Sequence, residues 1–231
     1  MEDALIRSLA EYLGCPCRSF APETAAASIA ASYREAKARG RAAGFIPILL
    51  PPDDLLLESL TMNLNGQTPG AYRREILAAP VEPEASYFAP LLALQQRMRP
   101  GMDGPEDPSD GEAMHTFFGI GGPMLLAEIP VEHPWEVFAY LPFGGWNQCP
   151  DTPGLMAAAK AWYEAYGAVP AVLTHNSVQF AVPAPADPDR ALSLAWEQYA
   201  WCPDIVDQGC GTVEALAAIL RQSTVWFFWW D

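Results

Sequence analysis

Val225-Trp226-Phe227-Phe228-Trp229-Trp230-Asp231 closes the sequence, with five aromatic residues in a row. A frayed terminus is polar and mobile, so a segment like this has to be inside something. Read as a strand, its alternate side chains point to opposite faces, and here both faces are apolar. A strand apolar on both faces is covered on both sides. The expectation is a sheet between two layers, with the C-terminal strand central.

Outward from that strand the punctuation is clear. Thr212 caps a helix with Val213, Leu216, Ala217 and Leu220 on one face. Asp187-Pro188 opens another, carrying Leu192, Ala195, Trp196 and Tyr199. Apolar runs near 168–173 and 178–182 read as strands with His175-Asn-Ser as their turn. So short a connection cannot make a parallel crossover, so this pair is antiparallel and the sheet mixed. Thr152-Pro153 starts a helix with Met156, Ala159, Trp162, Tyr163 and Tyr166 inward, stopped by Gly167. A strand is expected over 124–129, broken by His133-Pro134, with a short apolar segment over 135–141.

In the first hundred residues, helices are expected over 3–13, 22–39, 53–62, 69–79 and 90–98, with Gly14 and Gly40 as stops for the first two. The second has a thin stripe (Ile29, Tyr33, Ala36) that suggests a surface position. Residues 45–50 form an apolar strand in which Pro47 indicates an edge position or a strand start. The fold class is α/β, with α+β as the alternative, and helices on both faces of the sheet. The organisation is an N-terminal α/β portion (1–99), an acidic mobile loop (100–122) and a C-terminal domain (123–231) sharing one sheet with the N-terminal portion.

The charge is uneven. Residues 1–100 hold 11 acids and 10 bases, whereas 101–231 hold 17 acids and 3 bases, a net of −14 within a total of −15. Five of those acids lie between Asp103 and Glu112. Such a surface repels nucleic acid and anionic membrane and attracts basic proteins. The start lacks the basic, then apolar, pattern of a signal peptide, and no apolar run approaches a membrane span of about 20 residues. Five cysteines without a framework fit a reducing cytoplasm.

Several motifs occur in order: Gly145-Trp-Asn-x-Cys-Pro150, Trp162 through Tyr166-Gly-Ala, Ala191 to Glu197, Cys202-Pro-Asp-Ile-Val-x-Gln-Gly209, and Trp226-x-Phe-Trp-Trp-Asp231. Together they resemble the bacterial domain-of-unknown-function family 4253 over about the last 90 residues. Gly44-Phe-Ile-Pro-Ile-Leu-Leu50 also looks like a segment common upstream in such proteins. The resemblance implies a compact bacterial domain and carries no activity or catalytic residue across.

Candidate site residues come from chemistry alone. Trp146-Asn147 follows two glycines, which let a backbone approach a ligand closely; the simpler reading is a hydrophobic plug with a hydrogen-bonding Asn. Asp204, Asp207 and Asp231 could hold a cation or act as acid and base, or cap the helix at Thr212. His175 and Cys202 complete a candidate ligand-binding set. Cys149, Cys202, Cys210 and His175 are weak candidates for zinc, without any Cys-x-x-Cys pair; buried free thiols are the simpler reading. No phosphate loop, nucleophile elbow, zinc-protease or dinucleotide motif is present. No cofactor is expected. Two functions follow: an acidic interaction module docking a basic protein, inhibitor-like or immunity-like, or an enzyme or small-ligand binder with a pocket near Trp146, Asp204 and Asp231.

Overall fold

The structure, a computed structural model, describes residues 2–98 and 113–231. Nine α-helices and six strands among these residues follow one another as α1 (Glu2–Leu13), β1 (Cys17–Phe20), α2 (Ala26–Ala43), β2 (Ile46–Leu50), α3 (Asp54–Met62), α4 (Pro69–Ala78), α5 (Glu84–Met98), β3 (Met124–Ile129), α6 (Val137–Tyr140), α7 (Thr152–Tyr166), β4 (Val169–Leu173), β5 (Ser177–Ala181), α8 (Pro188–Trp201), α9 (Val213–Leu220) and β6 (Val225–Trp229). A 3-10 turn precedes α6 and a π-helical turn (Ile205–Cys210) joins α8 to α9. None of the described helices is long and apolar enough to cross a membrane.

The six strands form one mixed sheet in the order β1-β3-β2-β4-β5-β6. β2 and β4 are parallel, and every other neighbouring pair is antiparallel. Strand alternation sorts the side chains into two layers. Ile48, Leu50, Leu125, Ala127, Val178, Phe180, Trp226 and Phe228 enter the main core beneath α7 and α8. Leu49, Met124, Leu126, Ala171 and Val172 face the other way, against Ile29, Tyr33 and Ala36 of α2. The fold is α/β with helices on both faces.

β6 is not central. Among the described residues it pairs with β5 alone and forms the sheet edge. Apolar residues on both faces report cover above and below a strand, not neighbours on either side. Trp226, Phe228 and Trp230 are fully buried in the main core, while Phe227 meets the Phe118 ring on the opposite face. The outer edge is itself tied down: Val225 N–H donates to Met114 O at 3.0 Å, and Cys202 Sγ–H donates to Trp229 O at 3.0 Å. Such cover blunts an edge that would otherwise template further pairing.

Other differences have local causes. β1 was not foreseen; it is only four residues long, Arg18 and Ser19 in it are exposed, and Phe20 alone is buried. Pro47 marks the start of an inner strand, one residue into β2, and the parallel ladder to β4 is made at Leu49 and Val172, beyond the proline. Gly40 does not end α2. It lies buried inside the helix, where a Cβ would overlap the Phe45 carbonyl oxygen as the chain doubles back, and Gly44 takes the left-handed end position. Pro90 lies inside α5, which opens at Glu84. Most of the expected acidic loop, residues 99–112, lies outside the described residues. Residues 113–122 pack on the sheet: Phe117 meets Tyr33 edge-on and Phe118 is hydrogen-bonded to Gln179.

Trp162 is the centre of the main core. It stacks on Phe228 at 5.3 Å and meets Trp201, Phe180 and Trp226 edge-on. Its indole N–H donates to Glu197 Oε2 at 3.2 Å. Truncating a buried aromatic of this kind costs about 3–5 kcal/mol.

Candidate ligand-binding site

The parallel pair β2 and β4 sets the geometry. From the carboxyl end of β2 the chain leads to β3 on one side; from the end of β4 it leads to β5 on the other. In open α/β sheets this divergence leaves a crevice where ligands bind. Here it holds a cleft of about 340 Å3.

Asp53 and His175 lie at the bottom of the two loops. Asp53 caps α3: its Oδ1 accepts from Leu55 N–H at 2.9 Å. Its other oxygen, Oδ2, pairs with His175 Nδ1. His175 is held in the β4–β5 turn by Thr174, whose Oγ1 accepts from Ser177 N–H at 2.9 Å and from Asn176 N–H at 3.3 Å. With Nδ1 committed to a carboxylate, Nε2 is the nitrogen left for a ligand, and the carboxylate fixes the ring's orientation. Ser177 Oγ bonds to Thr174 Oγ1 at 2.7 Å rather than to the imidazole, so the three side chains do not make a nucleophilic triad.

An aromatic platform faces this pair. Phe227 and Trp229 stack with centroids 5.7 Å apart, and Phe118 meets Phe227 edge-on at 5.5 Å. Phe118, 65% exposed, is held at the rim because its N–H donates to Gln179 Oε1 at 2.8 Å and its carbonyl accepts from Gln179 Nε2. A rigid imidazole–carboxylate pair beside partly open aromatic faces can bind a planar polar molecule and move a proton to or from it.

The residues singled out from the sequence fall in three places. His175 lines the cleft. Asn147, Cys202, Asp204 and Asp231 gather instead behind it, around the chain end. Asn147 Nδ2 donates to Asp231 O at 2.8 Å, and Asp204 Oδ2 accepts from Asp231 N–H at 3.0 Å. Trp146 is a half-buried plug whose indole N–H donates to Phe143 O at 3.0 Å. Gly144 carries no side chain because Pro150 O occupies the place a Cβ would take. The chain's own backbone, rather than a ligand, makes the close approach that the two glycines permit. Asp207 lies apart, accepting from Tyr199 OH at 2.9 Å beside a hollow lined by Leu94, Met98 and Gln148. The cleft and the chain end adjoin through β6: Trp230 N–H donates to Asn176 O, next to His175.

The thiols do not join the imidazole. Burial pushes the Cys149 and Cys202 thiols well above their usual range, and Cys210 upward too, which disfavours the thiolate that zinc requires. Cys210 Sγ is turned to Thr212 O at 3.4 Å and His175 to Asp53. Among the described residues, no three His, Cys, Asp or Glu side chains converge on a position for a metal ion.

Asp53, Phe118, Gln179, Phe227 and Trp229 were missed from the sequence as site residues. Asp53 reads there only as a helix start, and Phe118 falls in the expected loop. The one available signal was Pro51-Pro52-Asp53 directly after an apolar strand.

Sheet, helical layers and cleft define an α/β domain with a crevice at its parallel pair. Residues 125–231 match the model of a family described as Domain of unknown function (DUF4253). No curated protein and no solved structure matches the chain. Within the cleft, His175, Phe227 and Trp229 come from the matched region, and Asp53 and Phe118 reach it from N-terminal elements and from within β3's upstream flank.

Proposed function

We propose that the protein binds a small planar, polar molecule in the cleft between β2 and β4, with His175 Nε2 exchanging a proton or hydrogen bond with it. The observation that carries this reading is the His175–Asp53 pair at the carboxyl ends of the two parallel strands, facing Phe227 and Trp229. Stacking on such faces is worth about 1–3 kcal/mol per ring for nucleobase-like ligands. Five free thiols fit a reducing cytoplasm, and the family resemblance a bacterial one. A thermal-shift screen of aromatic heterocycles, nucleobases and nucleosides included, followed by calorimetry, tests the reading. At least one compound should bind, and Trp229→Ala and His175→Ala should each weaken it tenfold or more. Binding that ignores both substitutions places the ligand elsewhere.

The second reading, an acidic module that docks a basic protein, inhibitor-like or immunity-like, is favoured by the net of −14 over residues 101–231. Long-range attraction of that kind raises association rates more than final affinity and is screened beyond about 8 Å at physiological salt. A captured basic partner should associate more slowly with added salt, and with Asp103, Glu106, Asp107, Asp110 and Glu112 changed to Asn or Gln. A host pull-down that returns no basic protein counts against it.

A further inference from the structure

A second cavity, sharing no residue with the cleft, lies between α2 and residues 115–120 over the β5–β6 end of the sheet. Its volume is about 390 Å3, within the range of small-molecule sites. Ala27, Ala30, Ile120 and Val182 make its lining mostly apolar. Its polar lining has His115, Thr116 and Thr224 on one side, with His115 Nδ1 3.3 Å from Thr224 Oγ1, and cations on the other. Arg34 and Lys37 line it from α2, and neither is ion-paired with an acid among the described residues. Burial and the nearby Arg41 make the charge on Lys37 costly, lowering its pKa. Tyr33 also lines the cavity, and its hydroxyl is buried without a hydrogen-bond partner. A buried polar group left unpaired costs about 1–3 kcal/mol. A half-buried ammonium without an acid partner, an exposed guanidinium one turn away and an unsatisfied hydroxyl thus border an apolar chamber in a chain of net charge −15. The field of the whole molecule repels anions, so an anion held here must be held by these local groups.

We propose that this groove binds an anionic amphiphile, a carboxylate on an apolar chain, with its head at Lys37 and Arg34 and its tail between α2 and Ile120. The carboxylate neutralises both cations and accepts from the Tyr33 hydroxyl, while the tail removes apolar surface from water. The sulfonate or phosphate of a similar amphiphile would satisfy the same donors, whereas a neutral or cationic head would not.

Calorimetry on the full-length protein tests this with three ten-carbon probes below their micelle concentrations: decanoate, decan-1-ol and decyltrimethylammonium. Decanoate should bind, and the other two at least tenfold more weakly. Lys37→Gln and Arg34→Gln should each weaken decanoate about tenfold and leave decanol unchanged. Tyr33→Phe should weaken decanoate several-fold without lowering the melting temperature. Ala30→Trp should exclude all tails; Lys37→Gln, a partly exposed position, keeps the test valid if that variant fails to fold. Equal binding of the three probes, no decanoate binding, or unchanged decanoate affinity in Lys37→Gln or Tyr33→Phe overturns the proposal.

Discussion

Glu197 shows how one side chain can set a pH dependence. It is largely buried beside Trp162, and burial raises its pKa; the Trp162 N–H opposes the shift, Glu84 adds to it, and Arg190 opposes it. A carboxyl whose folded pKa is raised favours folding while protonated. Its contribution is full below the unfolded value, about 4.3 for Glu, and is lost as pH rises through the raised folded value. Glu197→Gln keeps an acceptor for the indole and cannot ionise. Its melting temperature relative to the parent should therefore climb between pH 4 and pH 7. A difference that stays flat over that range would remove Glu197 from the account. At the chain end, Asp204→Ala should cost about 1 kcal/mol, the worth of a typical hydrogen bond, because it releases the Asp231 N–H; urea unfolding measures it.

Among the elements, β6 is an edge strand that the core cannot do without. Trp226, Phe228 and Trp230 are each no more than 2% exposed, and all three pack on Trp162 or Trp201. Deleting residues 226–231 should abolish cooperative unfolding, since three lost aromatics at about 3–5 kcal/mol each exceed a typical total of about 5–15. A deletion variant that melts as sharply as the parent would show the opposite. The same strand marks what a sequence can convey. The order of helices and strands from Thr152 onward was legible because caps, glycines and apolar periods agree there. Position across the sheet was not, because the alternation of Phe227 and Phe228 records which faces are covered and nothing about lateral partners. The site was less legible still. His175 was recognised as a reactive type, but Asp53 is 122 residues away and meets it only because β2 and β4 lie side by side.

For the whole molecule, the cysteines offer a gauge. Cys149 and Cys202 are buried with thiols pushed upward, whereas Cys15, Cys17 and Cys210 are half exposed. Thiolates, not thiols, react with disulfide reagents. In native protein Cys149 and Cys202 should be labelled only at the rate of global opening, and their labelling should speed up with urea in step with unfolding. Mass mapping of labelled peptides reads this directly. Fast native labelling of Cys202 would mean that the β6 edge opens by itself.

The strand order also has a consequence for how the chain can be divided. β2, from the first hundred residues, is wedged between β3 and β4 of the C-terminal portion, and β3 bonds on its other side to β1. Neither portion is a finished object. A gene cut between codons 98 and 113 should yield two polypeptides that are insoluble or unstructured when made singly. Made together, they should find each other and copurify as one particle, a split protein whose reassembly can be read with a tag on each piece.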